Sequence, residues 1–182
     1  MRKRSLSFAK QLINTNNQYN RLKNSIKKRV ERTFVGKLAE MTFLKYLKRL
    51  GIIYPEGDMF EIFNGQKNVD SFDFETNNNE TIDIKSASKP FHKRIMVPID
   101  QFKNIPKDYY VGIKLKTKIK NNFIKINSIN TANIYGYCSY DKLEKRETQN
   151  FGEYKCKAIN LDQLNDINDL LTESFNPFKK TI

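Results

Sequence analysis

One short stretch of this chain combines residue types that could do metal-assisted chemistry. Asp83-Ile84-Lys85 follows Asn77-Asn78-Asn79, and Asp73 lies as far before Asn78 as Asp83 lies after it. If the asparagines form the turn of a hairpin, Asp73 and Asp83 oppose one another, with Cβ atoms about 4.5–5.5 Å apart. Facing carboxylates repel, and a cation resolves the conflict. Mg²⁺ takes oxygen ligands and is commonly held by one or two carboxylates together with water and substrate phosphate. Lys85, two residues beyond Asp83, projects from the same face, where it could neutralise developing charge or orient an attacking water. The triplet alone carries no weight, because 20 acids and 25 lysines make it common by chance. A second one, Glu153-Tyr154-Lys155, has no acid-bearing partner strand and reads as surface. The bland alternative is an exposed polar hairpin face with Lys85 bridging two acids.

The elements that must position these residues follow from apolar spacing. A short helix is expected over 3–13 (Leu6, Ala9, Leu12, Ile13), broken at Asn14-Thr-Asn-Asn. A second is expected over about 18–31, with Tyr19, Leu22, Ile26 and Val30 on one face. A third carries Phe34, Leu38, Met41, Leu44 and Leu47 and stops at Gly51. The period then changes to two. Phe72 and Phe74 alternate with Asp73 and Glu75, and Ile82 and Ile84 alternate with Asp83 and Lys85, so 70–87 reads as a hairpin whose apolar face enters the core. Strands are also expected over 109–118, with Val111, Ile113 and Leu115 buried and the lysines outward, over about 122–128, and over 132–139. A helix is expected to begin near Pro98-Ile-Asp and another to cover 161–172. Helices, then a sheet, then a helix predict an α/β or α+β fold with a central mixed β-sheet. With no repeat or linker, 1–182 reads as a single domain, divided into a basic helical extension (1–32), a core (33–140) and a C-terminal strand and helix (141–182).

Composition narrows the partner. The net charge is +13, and it is uneven: +9 over residues 1–32, −4 over 33–84, +9 over 85–125 and −1 over 126–182. Two basic blocks around an acidic centre suggest a cleft for a polyanion, although charge runs are commonly just solvated faces. Two cysteines (Cys138, Cys156) and one histidine (His92) exclude a disulfide scaffold and a four-ligand Cys/His zinc site. No apolar window suits a membrane span, and Met1-Arg-Lys-Arg-Ser has no apolar run after it, so neither a membrane anchor nor a secretory signal is expected. The apolar spacing that continues into the next helix argues against an organelle presequence, so a cytoplasmic location is expected. Without G-x-x-x-x-G-K-[ST] or G-x-G-x-x-G, no nucleotide cofactor is expected. G-x-S-x-G is missing too.

An acid on one strand, Asp83-Ile84-Lys85 on the next, and a preceding helix bearing Glu40 in Phe34-Val-Gly-Lys-Leu-Ala-Glu-Met together resemble the PD-(D/E)xK nuclease superfamily. The likeness covers roughly 33–140, including the strand Tyr109-Tyr-Val-Gly-Ile-Lys-Leu. It implies an αβββαβ restriction-endonuclease-like core and Mg²⁺-dependent cleavage of DNA phosphodiesters, with Mn²⁺ able to substitute. By this likeness Asp73, Asp83 and the Ile84 carbonyl would hold the metal, Lys85 would position or activate water, and Glu40 would reach the metal directly or through water. No proline precedes either candidate first acid, which stands in Val69-Asp70 or in Phe72-Asp73. Parity favours Asp73, and Asp70 would need a bulge. On spacing alone, Glu40 fits a Lys37-paired surface glutamate equally well.

Double-stranded DNA is the expected partner. Lys89, His92, Lys93 and Arg94 follow the motif, and Lys114, Lys116, Lys118 and Lys120 line the next strand and turn. Such cations hold phosphates, while Gln101 and Asn104 could reach base edges or phosphates. The leading expectation is a type II restriction endonuclease acting as a homodimer, because one site cuts one strand of a palindrome. The basic helices of 1–32 would form the dimer contact or a DNA clamp. A junction resolvase or repair nuclease of the same superfamily, and a non-catalytic nucleic-acid-binding domain, are the alternatives.

Overall fold

A computed structural model describes residues 1–15, 25–57, 59–62, 72–152 and 154–175. Asp70, Tyr19, Leu22 and Glu153 lie outside them. The described residues are α+β and fall into two compact units. One is drawn from Met1–Asp70, Ser88–Pro90 and Leu115–Ala132, the other from Ser71–Ala87, Phe91–Lys114 and Asn133–Ile182. The sequence divisions at 32/33 and 140/141 cut across these units.

In the first unit, α1 (Arg2–Thr15) packs on α2 (Ile26–Arg49) through Phe8, Ala9 and Ile13. Two helices meeting near residue 32 were expected, yet α2 runs unbroken, since Arg32-Thr33 contains neither glycine nor proline. Ser25 caps its N-terminus, with its hydroxyl accepting from the Lys28 N–H at 3.4 Å. Gly51, at φ +77°, ends it: Ile52 N–H reaches the Leu47 carbonyl and Gly51 N–H reaches that of Lys48. Phe34, Leu38, Leu44 and Leu47 are buried as expected, but Ile26 is exposed. The buried stripe begins instead at Glu31.

Glu31 has a structural task. Its carboxylate accepts the Ile124 N–H at 2.6 Å on β6 (Phe123–Ile124), which pairs with β5 (Ile119–Lys120) through an Asn121-Asn122 turn at positive φ. Asn122 is therefore a turn residue and not the start of a strand over 122–128. Glu31→Ala leaves that buried N–H without its acceptor and is expected to cost about 1–3 kcal/mol, measurable by urea denaturation. Several cations of the N-terminal block also work inside this unit. Arg2 donates to the carbonyls of Asn127 and Ile129, Arg4 pairs with Glu56, and Lys27 lies 4.0 Å from the Phe123 ring centroid.

The second unit carries most of a four-stranded sheet ordered β1-β2-β4-β7, formed by β1 (Phe74–Glu75), β2 (Thr81–Ala87), β4 (Tyr109–Lys116) and β7 (Thr131–Ser139). β1 is antiparallel to β2, and β2 is parallel to β4 with Asp83 beside Tyr110. A parallel neighbour requires a crossover. It is supplied by β3 (Arg94–Pro98) and α3 (Ile99–Asn104). Clean alternation was expected on β4, but Tyr110, Val111, Gly112 and Ile113 are all buried. That continuous burial is typical of a strand covered on both faces.

A second sheet, β3-β9-β8, joins β3 to β9 (Lys155–Asn160) and β8 (Thr148–Asn150). One strand was expected somewhere within 141–182, without bounds; that segment holds two, β8 and β9. The short α4 (Tyr140–Glu144) precedes β8, and α5 (Ile167–Ser174) replaces most of the helix expected over 161–172, whose first turn, Leu161–Gln163, is 3₁₀. The core here includes Ile95, Val97, Phe102, Tyr110, Cys138 and Ile159. Cys138 and Cys156 are free and buried, and burial pushes both thiols up to about 11. Among the described residues no helix is long and apolar enough to cross a membrane.

Candidate functional site

The hairpin sets the site. Its register, Phe74↔Ile82 and Glu75↔Thr81, centres the turn on Asn78 as the sequence predicts. Asn79 takes φ +61°, a conformation asparagine tolerates. Thr76 closes the turn, its hydroxyl accepting from the N–H groups of Asn78 and Glu80. Phe74 and Ile82 are fully buried and Ile84 nearly so, which anchors one face of the hairpin in the core.

The ladder stops at Asp73. In an unbroken antiparallel register the Ile84 N–H would go to the carbonyl of residue 72. Instead the Asp73 carboxylate accepts it at 2.7 Å through Oδ2, while the Asp73 N–H donates to the Ile82 carbonyl at 3.0 Å. Asp73 therefore grips β2 beside Asp83 and Lys85, and the paired strand is shorter than the expected 70–87 hairpin.

Asp83 is only 7% exposed, buried in the centre of the sheet. Its Oδ2 lies 2.6 Å from Lys85 Nζ and accepts from Gln101 Nε2 at 3.3 Å. Lys85 also donates to Gln101 Oε1 at 3.2 Å. The Gln101 amide thus holds the acid with one end and the lysine with the other, which fixes both partners. Gln101 can do this because α3 is pinned by its neighbour Phe102. That ring is buried and stacks on Tyr140, centroids 4.6 Å apart.

A second lysine completes the arrangement, and nothing in the sequence marked it. Lys107 is 4% exposed, and its ammonium donates to the carbonyls of Ile105 and Pro106 at 2.7 and 3.0 Å. Burial pushes it below the usual lysine range. The Asp83 charge opposes that shift most strongly, Lys85 adds to it and Asp73 opposes it. The loop is held by Asp108, whose Oδ2 accepts from both the N–H and the hydroxyl of Thr81 at 2.7 Å. Tyr110 anchors it again, its Oη accepting the Lys107 N–H at 3.3 Å. Burial raises the Tyr110 phenol well above its usual range, so it stays protonated.

Asp73, Asp83, Ile84, Lys85 and Gln101 are thus gathered in the second unit. Gln101, expected to meet DNA, instead bridges the acid and the lysine. Glu40 stands in the first unit, paired with Lys37. Lys89 also belongs to that unit, where burial and then Lys28 lower its ammonium. Lys93 and Arg94 are exposed in the second unit, and His92 is half-buried with its ring edge-on to Phe91. Lys114 is half-buried and donates to the His92 carbonyl at 2.5 Å, so it does not extend a solvent-facing row. Lys116, Lys118 and Asn104 are exposed.

Asp73, Asp83 and the Ile84 carbonyl offer oxygens, the donor type Mg²⁺ takes, while Asp83 Oδ2 meets Lys85 and Gln101 and Asp73 Oδ2 meets the Ile84 N–H. Among the described residues, no group of three or more His, Cys, Asp or Glu side chains is placed to hold a metal ion. Comparison with family models, curated proteins and solved structures returned no match for the chain.

Proposed function

We propose that the protein is a Mg²⁺-dependent endodeoxyribonuclease, with Mn²⁺ able to substitute, and specifically a type II restriction endonuclease acting on double-stranded DNA as a homodimer. One observation carries the reading: Asp73 grips the β2 backbone beside Asp83-Ile84-Lys85, on a strand parallel to the one that follows its crossover helix. The order α2, β1, β2, β3, α3, β4 follows the αβββαβ succession that the resemblance implies, although β3 pairs with β9 in a second sheet.

In this reading Asp73, Asp83 and the Ile84 carbonyl would hold the ion. A bound Mg²⁺ supplies charge stabilisation at the scissile phosphate and a lower pKa for the attacking water. Lys85, turned from Asp83 toward the substrate, donates to a phosphate oxygen or orients the water. Gln101 limits the positions open to both. Glu40, held by Lys37, is given no step.

Lys107 sets a testable direction. Its charge opposes a second cation at the acid pair, so Lys107→Met is expected to tighten Mn²⁺ binding several-fold in calorimetric titration. Unchanged or weaker binding would contradict the cation site. One observation favours a second reading, a nucleic-acid-binding domain without catalysis: Lys85 is closed on Asp83 at 2.6 Å. The deciding experiment is plasmid and linear duplex digestion with Mg²⁺, run beside a four-way junction. Discrete duplex fragments support restriction, junction-selective cutting a resolvase, and binding without cutting the non-catalytic domain.

A further inference from the structure

We propose that a concavity on the β3-β9-β8 side of the second unit binds the sugar-phosphate backbone of the nucleic acid, apart from the Asp73/Asp83 site. The proposal rests on the nucleic-acid reading above. The cavity measures about 470 Å³ and is lined by Arg94, Lys145, Arg146, Gln149, Asn160 and Gln163, with Glu147 its one carboxylate.

The lining is held in place. Arg94 faces Asn160 across the β3–β9 ladder, and its guanidinium donates to Gln149 Oε1 at 2.9 Å on β8. It therefore reaches from one edge strand to the other over the central β9. Lys145 and Arg146 follow the last turn of α4. Lys157, on β9, fixes that turn by donating to the Glu144 carbonyl at 2.7 Å and to the carbonyl of Arg146.

The charge pattern points to a ligand. Among the described residues, none of the three cleft cations forms an ion pair with a carboxylate. Three unpaired cations against one acid repel one another, and a concave wall focuses their field outward. An oxyanion relieves that repulsion. The guanidinium forks suit phosphate oxygens, and the three amides add donors around them. Phe151, 37% exposed and 5.9 Å from the Arg94 guanidinium, offers a flat apolar surface to a sugar or base. A polynucleotide combines these features.

The cleft is joined to the acid site along the chain. β3 rises about 13 Å over its five residues and runs directly into α3, which bears Gln101.

The test is fluorescence anisotropy with a labelled duplex in Ca²⁺ across a salt series, comparing wild type with Lys145→Ala/Arg146→Ala and with Arg94→Gln. Lys45→Ala/Lys48→Ala on α2 is the control for bulk charge, and circular dichroism reports folding. The cleft double variant is expected to bind more weakly than the control, with a log–log salt slope shallower by about 1 to 2. Arg94→Gln, which keeps a hydrogen-bonding side chain at the site, is expected to lose about one unit of slope. Wild-type affinity and slope in both cleft variants, or equal losses in the control, would overturn the proposal. If wild type binds and cuts while the cleft variants are neutral, only the cleft fails. If wild type binds but never cuts, the nuclease reading fails and the cleft comparison still decides. If it does not bind duplex, both fail.

Discussion

Asp83→Asn and Lys85→Ala are each expected to abolish Mg²⁺-dependent DNA cleavage, by about 10³-fold or more, since each removes a fixed charge from the reacting centre. Asn keeps the shape of Asp and an acceptor for the Lys85 ammonium and the Gln101 amide, which approach Asp83 Oδ2 at 2.6 and 3.3 Å. It loses the negative charge that would hold a divalent ion. The fold should survive, because the hairpin is anchored from its other face by Phe74, Ile82 and Ile84. Lys85→Ala keeps both acids and removes the ammonium that the proposal turns toward the phosphate. Supercoiled-plasmid nicking, with thermal melting as the folding control, measures both. Wild-type nicking rates in these two variants would remove the catalytic assignment.

Gly136→Ala is expected to be the most damaging small change to stability, costing about 3 kcal/mol or more through backbone strain and overpacking together. Gly136 sits in β7 at φ +143°, and a Cβ built there would lie 2.0 Å from the Asn165 carbonyl oxygen. The chain cannot simply move aside. Tyr137 and Asn165 exchange backbone hydrogen bonds of 3.0 and 2.8 Å at this crossing, and α5 follows directly. Urea denaturation should show a lower midpoint with little change in slope. An unchanged midpoint would mean that the close approach is not maintained in solution.

The hairpin was legible because two signals agree there. Period-two alternation fixed which side chains enter the core, and the asparagine triplet fixed the centre of the turn, so the pairing of Phe74 with Ile82 followed. The side-chain grip of Asp73 on the Ile84 N–H was not legible, since it depends on where the ladder fails. α2 was misdivided because a change of apolar face at Ile26–Glu31 looks like a new helix when it is only the far end of one. The strand expected within 141–182 could not be placed, because the inward residues of β9, Cys156 and Ala158, are small, and one of its two partners, β3, comes from far earlier in the chain.

Charge was legible as blocks but not as partners. The N-terminal block suggested a clamp, yet Arg2, Arg4 and Lys27 are engaged within the first unit. The nearly neutral C-terminal third suggested nothing, yet Lys145 and Arg146 join Arg94 around one concavity. Gln101 was singled out for the wrong neighbour. Lys107 carried no signal, because burial of a single lysine beside two acids arises only when the loop after α3 folds back onto β2.

The most direct test of the account is digestion of a large unmethylated duplex DNA by the purified protein, with Mg²⁺ and with EDTA. Discrete fragments with Mg²⁺, lost with EDTA and lost in Asp83→Asn, are the predicted result. Intact DNA with both Mg²⁺ and Mn²⁺, from folded protein that binds the duplex, would contradict it.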